Sequence, residues 1–237
     1  MGSPGRVLTP HVRGRAVPGQ PGHQIEHECQ RALTELERRG YTVRRGYGPG
    51  AIDQCRSVMA SEALRDDFRE LFWIDSDIIF DPDDVDRLRA NPHSIVCGIY
   101  PKKGVRELAC HVMPGTRHIV FGADGGVIEI KFAATGFLLT RAHVYADIQA
   151  FHRLPVCNAQ FGTPQVPYFM PLVADEGQGP WYLNEDYAFC HRARAAGHTI
   201  MADTRIRLWH VGRSKYSWED AGSDPPRYAR YRFEVTP

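Results

Sequence analysis

No stretch of this 237-residue chain approaches the roughly 20 consecutive apolar residues that a bilayer-spanning helix needs. The opening MGSPGRVLTPHVRGRAVPGQPGHQ also lacks the apolar run of a secretory signal, so a cytoplasmic protein is expected. An excess of charge is missing too: 29 Lys and Arg stand against 28 Asp and Glu, a net charge of +1. A nucleic acid or an anionic membrane, bound through bulk charge, is therefore not an expected partner. No Cys-x-x-Cys spacing links the six cysteines (Cys29, Cys55, Cys97, Cys110, Cys157 and Cys190). That pattern points to scattered reduced thiols, not a disulfide framework. Internal repeats and low-complexity segments are likewise absent.

Present instead is ordinary globular composition, 43% hydrophobic and 24% charged, enough for a sizeable core. Apolar runs alternate with helical patterns through the first hundred residues. RVLT (6–9) reads as a strand stopped by Pro10, followed by a Gly-, Pro- and Arg-rich loop. Residues 24–39 carry Ile25, Cys29, Ala32, Leu33 and Leu36 at helical spacing, ended by Gly40. A second strand is expected over 41–45, then a GYGPG loop (46–50), then a helix over 52–64. Leu71–Ile74 is apolar throughout, as expected of a strand covered on both faces, and SIVCGI (94–99) reads as a fourth strand. This order predicts an α/β fold with a mostly parallel sheet and helices on both faces.

The second half is less regular. A hairpin is expected over 118–132 around Asp124-Gly125-Gly126, and short strands over 137–140, 199–202 and 206–209. Glu185–Ala196 reads as a helix ended by Gly197. The proline-rich stretch 151–180 reads as a long loop near the site. One domain is expected, with residues 1–100 forming one half and 101–237 the other.

Three segments carry chemistry. LFWIDSDIIF (71–80) ends an apolar strand in Asp75-Ser76-Asp77. Ligands bind beyond the carboxyl ends of strands in such sheets, and two carboxylates there suit Mg²⁺ or Mn²⁺, which prefer oxygen ligands and keep positions for substrate phosphates. The plainer alternative is a capped, solvated loop, the role expected of Asp81, Asp83 and Asp84. In LWHVGRSKYSW (208–218), a neutral His210 could complete an oxygen-rich metal site, with Arg213 and Lys215 placed for diphosphate oxygens. In YLNEDYAFCHRARAAG (182–197), Glu185 and Asp186 open a helix, where the positive dipole end favours carboxylates; either a helix-end role or a general base acting on a hydroxyl accounts for them.

In this order the segments resemble GT-A type nucleotide-sugar glycosyltransferases, in particular the broad inverting family that includes many bacterial polysaccharide synthases. RVLTP resembles the opening strand of the nucleotide-binding half, and AIDQCRSVMASEAL the helix whose arginine approaches the diphosphate. FWIDSD resembles the DxD segment, and ATGFLLTRAHVY (134–145) the segment shaping the sugar pocket. NEDYAFCHRARAAGHTIMADTRIRLWHVG resembles the acidic-pair helix followed by the late metal-binding histidine. No single motif is decisive; the order and spacing are.

The resemblance implies transfer from a UDP- or GDP-sugar to a glycan, small-molecule or protein acceptor, with Mn²⁺ or Mg²⁺ as cofactor. It implies that Asp75, Asp77 and His210 hold the metal. Donor contacts would come from Asp75, Arg56, Asp53, Lys215 and Gly136, with Thr9 and Pro10 at the end of the first strand and assistance from Lys102 or Lys103. Asp53 reads equally as a helix cap. Asp186, with Glu185 beside it, would be the base that activates the acceptor hydroxyl. Trp181 and Tyr182 would stack on the acceptor sugar, with core packing as the alternative. The tail from Trp218 reads as a lid over the donor or a contact with a partner chain.

The sequence also departs from the family. TPHVRGR replaces the acidic strand-one motif, and the Gln-x-x-Arg-Trp motif of processive synthases is absent, so a single transfer is expected. Inversion is the expected outcome, though some retaining families share the pairing of DxD with a late histidine. A sugar-phosphate nucleotidyltransferase and a non-catalytic nucleotide- or carbohydrate-binding module stand as alternatives.

Overall fold

The computed structural model describes residues 6–12, 25–48, 51–175, 177, 179–222 and 230–235. In chain order the elements are β1 (Arg6–Val12), α1 (His27–Arg38), β2 (Thr42–Gly48), α2 (Ile52–Arg65), β3 (Glu70–Ile74), β4 (Ile78–Ile79), α3 (Pro82–Ala90) and β5 (Ile95–Cys97). Then follow β6 (Cys110–Val112), β7 (His118–Gly122), β8 (Val127–Ala133), β9 (Phe137–Arg141), α4 (Ala142–His152), β10 (Leu172–Asp175) and β11 (Pro180–Leu183). The last are α5 (Glu185–Ala195), β12 (Ile200–Asp203), β13 (Trp209–Val211), β14 (Lys215–Tyr216) and β15 (Arg230–Glu234).

Eight strands form one mixed sheet in the order β2-β1-β3-β9-β5-β12-β8-β6. Strands β8 and β9 run against the other six, so four of the seven neighbour pairings are antiparallel. The expectation of a mostly parallel sheet is corrected by these pairings. Strand β9 inserts between β3 and β5, where the alternation of strands and helices predicted only parallel neighbours.

Helices cover both faces, as the apolar β3 requires. Its Leu71 and Trp73 point into a core shared with α2, α4 and α5, while Phe72 and Ile74 point into one shared with α1 and α3. This is the two-sided alternation of a buried strand. The buried Tyr145 hydroxyl joins Trp73 Nε1 and Thr140 Oγ1, each at 2.8 Å, so the polar groups between β3, β9 and α4 are satisfied inside the core.

Other expectations change in detail. Strand β1 continues through Pro10, which pairs with Gly46. Its ladder with β3 ends at Leu8, so at Pro10 the strand has a partner on one side only. The Gly46–Gly48 part of the expected GYGPG loop belongs to β2; Pro49 and Gly50 lie outside the described residues, while the expected Gly- and Pro-rich loop after Pro10 gives its first two residues, His11 and Val12, to β1 and otherwise lies outside them. Strand β7 pairs with β15, so residues 118–132 are two strands of different sheets and not a hairpin. The expected 151–180 loop contains β10 and leads into β11, and those two strands form a hairpin. The expected 206–209 strand lies later, over Trp209–Val211.

The described part of the tail packs on β7: Phe121 meets Trp218 at 4.9 Å and Tyr231 at 6.3 Å between ring centroids. Beneath it, the fully buried Glu219 pairs with Arg207 at 2.7 Å. All six cysteines are free thiols. Among the described residues, no helix is long and apolar enough to cross a membrane.

Candidate active site

The acidic doublet leaves the carboxyl end of β3 in a tight turn, with the Ile78 N–H donating to the Asp75 carbonyl at 3.1 Å. Asp77 is brought to His210 by backbone pairing. Strand β13 runs antiparallel to β4, with His210 opposite Ile78, and the Val211 N–H donates to the Asp77 carbonyl at 2.8 Å. His210 Nε2 then lies 3.7 Å from Asp77 Oδ1. Its Nδ1 is 2.9 Å from the Pro101 carbonyl, which can only accept, so Nδ1 carries the proton and Nε2 presents its lone pair. Burial lowers the His210 pKa below the ordinary imidazole value, which favours that neutral form.

This donor set fits a divalent cation at two points. A neutral imidazole oriented through its second nitrogen by a carbonyl is the arrangement metal-binding histidines use, and Asp77 supplies the hard oxygen. Asp75 is not drawn into the same cluster. Its Oδ1 accepts from Arg56 Nη2 at 3.0 Å. Among the described residues, no group of three or more His, Cys, Asp or Glu side chains stands close enough to hold a metal.

Arg56 is the hub of the other half. It projects from α2, is almost wholly buried, and its Nη2 lies 4.0 Å from Glu185 Oε1 as well as 3.0 Å from Asp75. Burial pulls its pKa down, but Asp75, Glu185 and Asp186 outweigh that and leave it raised. Nε and Nη1 are buried without a hydrogen-bond partner, an uncommon state for a charged group. Arg56 thus links the acidic doublet to the acidic start of α5.

Asp186 sits in the first turn of that helix, and its Oδ1 accepts from the Tyr187 N–H at 2.8 Å. Burial first, then repulsion from Glu185, pushes its pKa up to about 7. A carboxyl shifted towards neutrality is a candidate for proton transfer.

Gly136 closes the space between the halves. Its carbonyl accepts from the Asp75 N–H at 3.0 Å, and its own N–H donates to the buried Tyr100 hydroxyl at 3.0 Å. A Cβ at 136 would fall 2.8 Å from Tyr100 Cζ and 3.1 Å from Asp75 Oδ2, so only glycine fits. Tyr100 also packs edge-on against His210 at 5.1 Å between centroids. Sequence reasoning missed Tyr100 and the Pro101 carbonyl; their one signal was a tyrosine-proline pair closing an apolar strand.

The remaining expected residues are less tightly gathered. Asp53 lies in the first turn of α2 but is not its cap, which is Ala51. Lys215, on β14, forms an ion pair with Glu28 on α1. Lys102 pairs with Glu107 at 2.7 Å, while Lys103 pairs with Asp77. Thr9 and Pro10 lie in β1 opposite Arg45 and Gly46. Trp181 packs on His111 and Phe132, at 4.8 and 5.7 Å between centroids. Its neighbour Tyr182 is 63% exposed on the outer side of the hairpin.

Comparison with known proteins bears on the fold. No protein-family model matches the chain, and no curated protein matches it at a significant level. The chain is similar in structure to A197 from STIV, with a TM-score of 0.55 and 13% identity over 88% of this chain and 85% of that one. The class this likeness defines is the fold, a mixed α/β sheet flanked by helices. The inositol-1-phosphate CTP transferase from T. maritima is more distant, with a TM-score of 0.43 and 10% identity over 89% and 90% of the two chains. So is GalNAc-T7 with UDP, GalNAc and Mn²⁺, with a TM-score of 0.39 and 12% identity over 86% of this chain and 38% of that one.

Proposed function

We propose that the chain is a GT-A type glycosyltransferase that moves a sugar from a UDP- or GDP-sugar to an acceptor hydroxyl, once per encounter and with inversion. The observation that carries the reading is Arg56, buried between Asp75 at the end of β3 and Glu185 at the start of α5. One guanidinium joins a carboxylate suited to the donor with an acidic helix end suited to the acceptor.

Asp75 and Gly136 would border the donor, and Asp186 would accept the proton of the attacking hydroxyl, helped by a pKa of about 7. Asp77 and His210 would hold Mn²⁺ or Mg²⁺. Such a cation, when bound, neutralises charge on the departing nucleoside diphosphate. Tyr182, exposed beside the acidic pair, would offer an apolar face to the acceptor. The six free thiols suit the reducing cytoplasm as the working compartment.

The test is a thermal-shift screen with UDP, GDP, CDP and dTDP, each with Mn²⁺, Mg²⁺ or EDTA. A nucleotide at 100 times its dissociation constant stabilises by about 2.7 kcal/mol, a readily visible shift. A metal-dependent shift with one diphosphate, lost in Asp77→Asn, is expected. No shift with any of them removes the reading.

A sugar-phosphate nucleotidyltransferase is the second reading, and one observation favours it. Because β1 runs to Val12, the basic Arg13-Gly14-Arg15 follows the first strand directly, where such enzymes carry a Gly-rich basic loop. Products separate the two: a nucleoside diphosphate released from a nucleotide sugar supports the first, pyrophosphate released from a nucleoside triphosphate the second.

A further inference from the structure

The two oxygens of Asp77 face two different bases. Oδ1 lies 3.7 Å from His210 Nε2; Oδ2 accepts from the Lys103 ammonium. Both neighbours are governed by one loop, which follows the chain out of β5. Pro101 pairs with Leu108 across that loop, the Lys102 N–H donates to the Glu107 carbonyl at 2.8 Å, and Lys102 pairs with Glu107 at 2.7 Å. The same loop supplies the Pro101 carbonyl that fixes the His210 ring. The lysine stem lies across Gly212: a Cβ there would be 3.2 Å from Lys103 Cδ and 3.6 Å from Cγ. Both partners of the ion pair are over a third exposed, at 35% and 37%, and pairs so exposed are weakly held.

We infer that Lys103 is a tethered cation of the Asp77 site, which a divalent metal must displace in order to bind Asp77 and His210. The inference rests on the proposed metal role of those two residues and adds a residue that opposes the metal. A divalent ion beside the ammonium would meet like-charge repulsion, so Lys103 and the metal share Asp77 by exchange. The weakness of the exposed pair makes that exchange easy. It also leaves the site with a positive charge when metal is scarce, so that an anionic ligand meets a cation in either state.

The experiment is a titration with Mn²⁺ alone, read by the loss of the free-ion EPR signal. It uses the full chain and its Lys103→Met, Gly212→Ala and Asp77→Asn variants. Lys103→Met removes the charge and keeps the stem. Gly212→Ala keeps the lysine and crowds its stem, which must shift by a few tenths of an ångström. Both variants should bind Mn²⁺ more tightly, Lys103→Met by about two- to fivefold, the size expected of an exposed ion pair, and Asp77→Asn should lose binding. If Asp77→Asn loses binding while Lys103→Met and Gly212→Ala match the parent, the exchange is overturned and the metal site stands. If Asp77→Asn binds as well as the parent, or no form binds Mn²⁺, the metal site itself is misread and the inference falls with it.

Discussion

Arg56 and Asp75 meet at 3.0 Å with the arginine side chain only 4% exposed. The pair ties α2 to the turn after β3, and the carboxylate has little freedom to point elsewhere. Arg56→Met should cost about 2 kcal/mol, the scale of a hydrogen bond to a charged group, because two acidic side chains then lose a shared cation. Urea denaturation measures it. Arg56→Lys should recover part of the loss, since a single nitrogen, Nη2, faces both carboxylates and an ammonium can stand in for it; no recovery would show that the planar guanidinium itself is needed there.

Asp186 gives a pH signature. Its folded pKa of about 7 lies above the ordinary value near 4 of an unfolded chain, so the folded state binds the extra proton more tightly. Stability from this group is present below pH 4 and is lost as the pH rises from about 4 to about 7. Asp186→Asn should therefore melt higher than the parent at pH 8 and lose that advantage towards pH 4. Turnover, if Asp186 is the base, should rise through about pH 7 in the parent and be nearly absent in the variant. A variant that turns over normally would leave Asp186 as a helix-end residue only.

Gly136→Ala drives a methyl group into Tyr100 and Asp75. Overpacking of this kind costs about 1 to 3 kcal/mol, and nucleotide-induced thermal shifts should weaken more than stability alone explains. Tyr100→Leu in the same chain should restore part of the stability by removing the ring. No recovery would place the strain in the backbone instead.

The buried Glu219 provides a stability test far from the chemistry. Removing one guanidinium partner by Arg207→Met should destabilise by about 3 kcal/mol, as expected when a buried carboxylate loses a countercharge. The double change Arg207→Met with Glu219→Leu should recover most of that loss. Chemical denaturation of the three forms decides it.

The helices were legible in the sequence because their buried positions follow the 3.6 period: Cys29, Ala32, Leu33 and Leu36 in α1 are all buried. Gly40 and Gly197 mark helix ends and adopt positive φ angles of 89° and 92°. The Asp81 cap was legible too, its side chain accepting from the Asp83 N–H at 3.0 Å. Strand direction was not legible. Phe137–Thr140 is apolar and buried whichever way it runs, and nothing in its pattern distinguishes a parallel insertion from the antiparallel one found. The β10–β11 hairpin was hidden because each strand has only four residues, too few for alternation to stand out among prolines.

The acidic motifs of the candidate site were visible as residue types at element ends, but their partners were not. The pairing of Asp75 with Arg56, and not with Asp77 and His210, depends on where α2 crosses the sheet. The Tyr100 hydroxyl between Gly136 and the acidic groups depends on a packing contact that no local spacing encodes.

The three-stranded sheet β14-β13-β4 has one more effect, on the order of events at the ribosome. Asp77 is synthesised early and is held in its turn by β3, yet its histidine partner arrives only with β13, near the other end of the sequence. A nascent chain that has released only β1 to β5 therefore cannot yet bring this pair together. The closeness of Asp77 to His210, on this topology, reports that synthesis has passed His210 and that the late strand has docked.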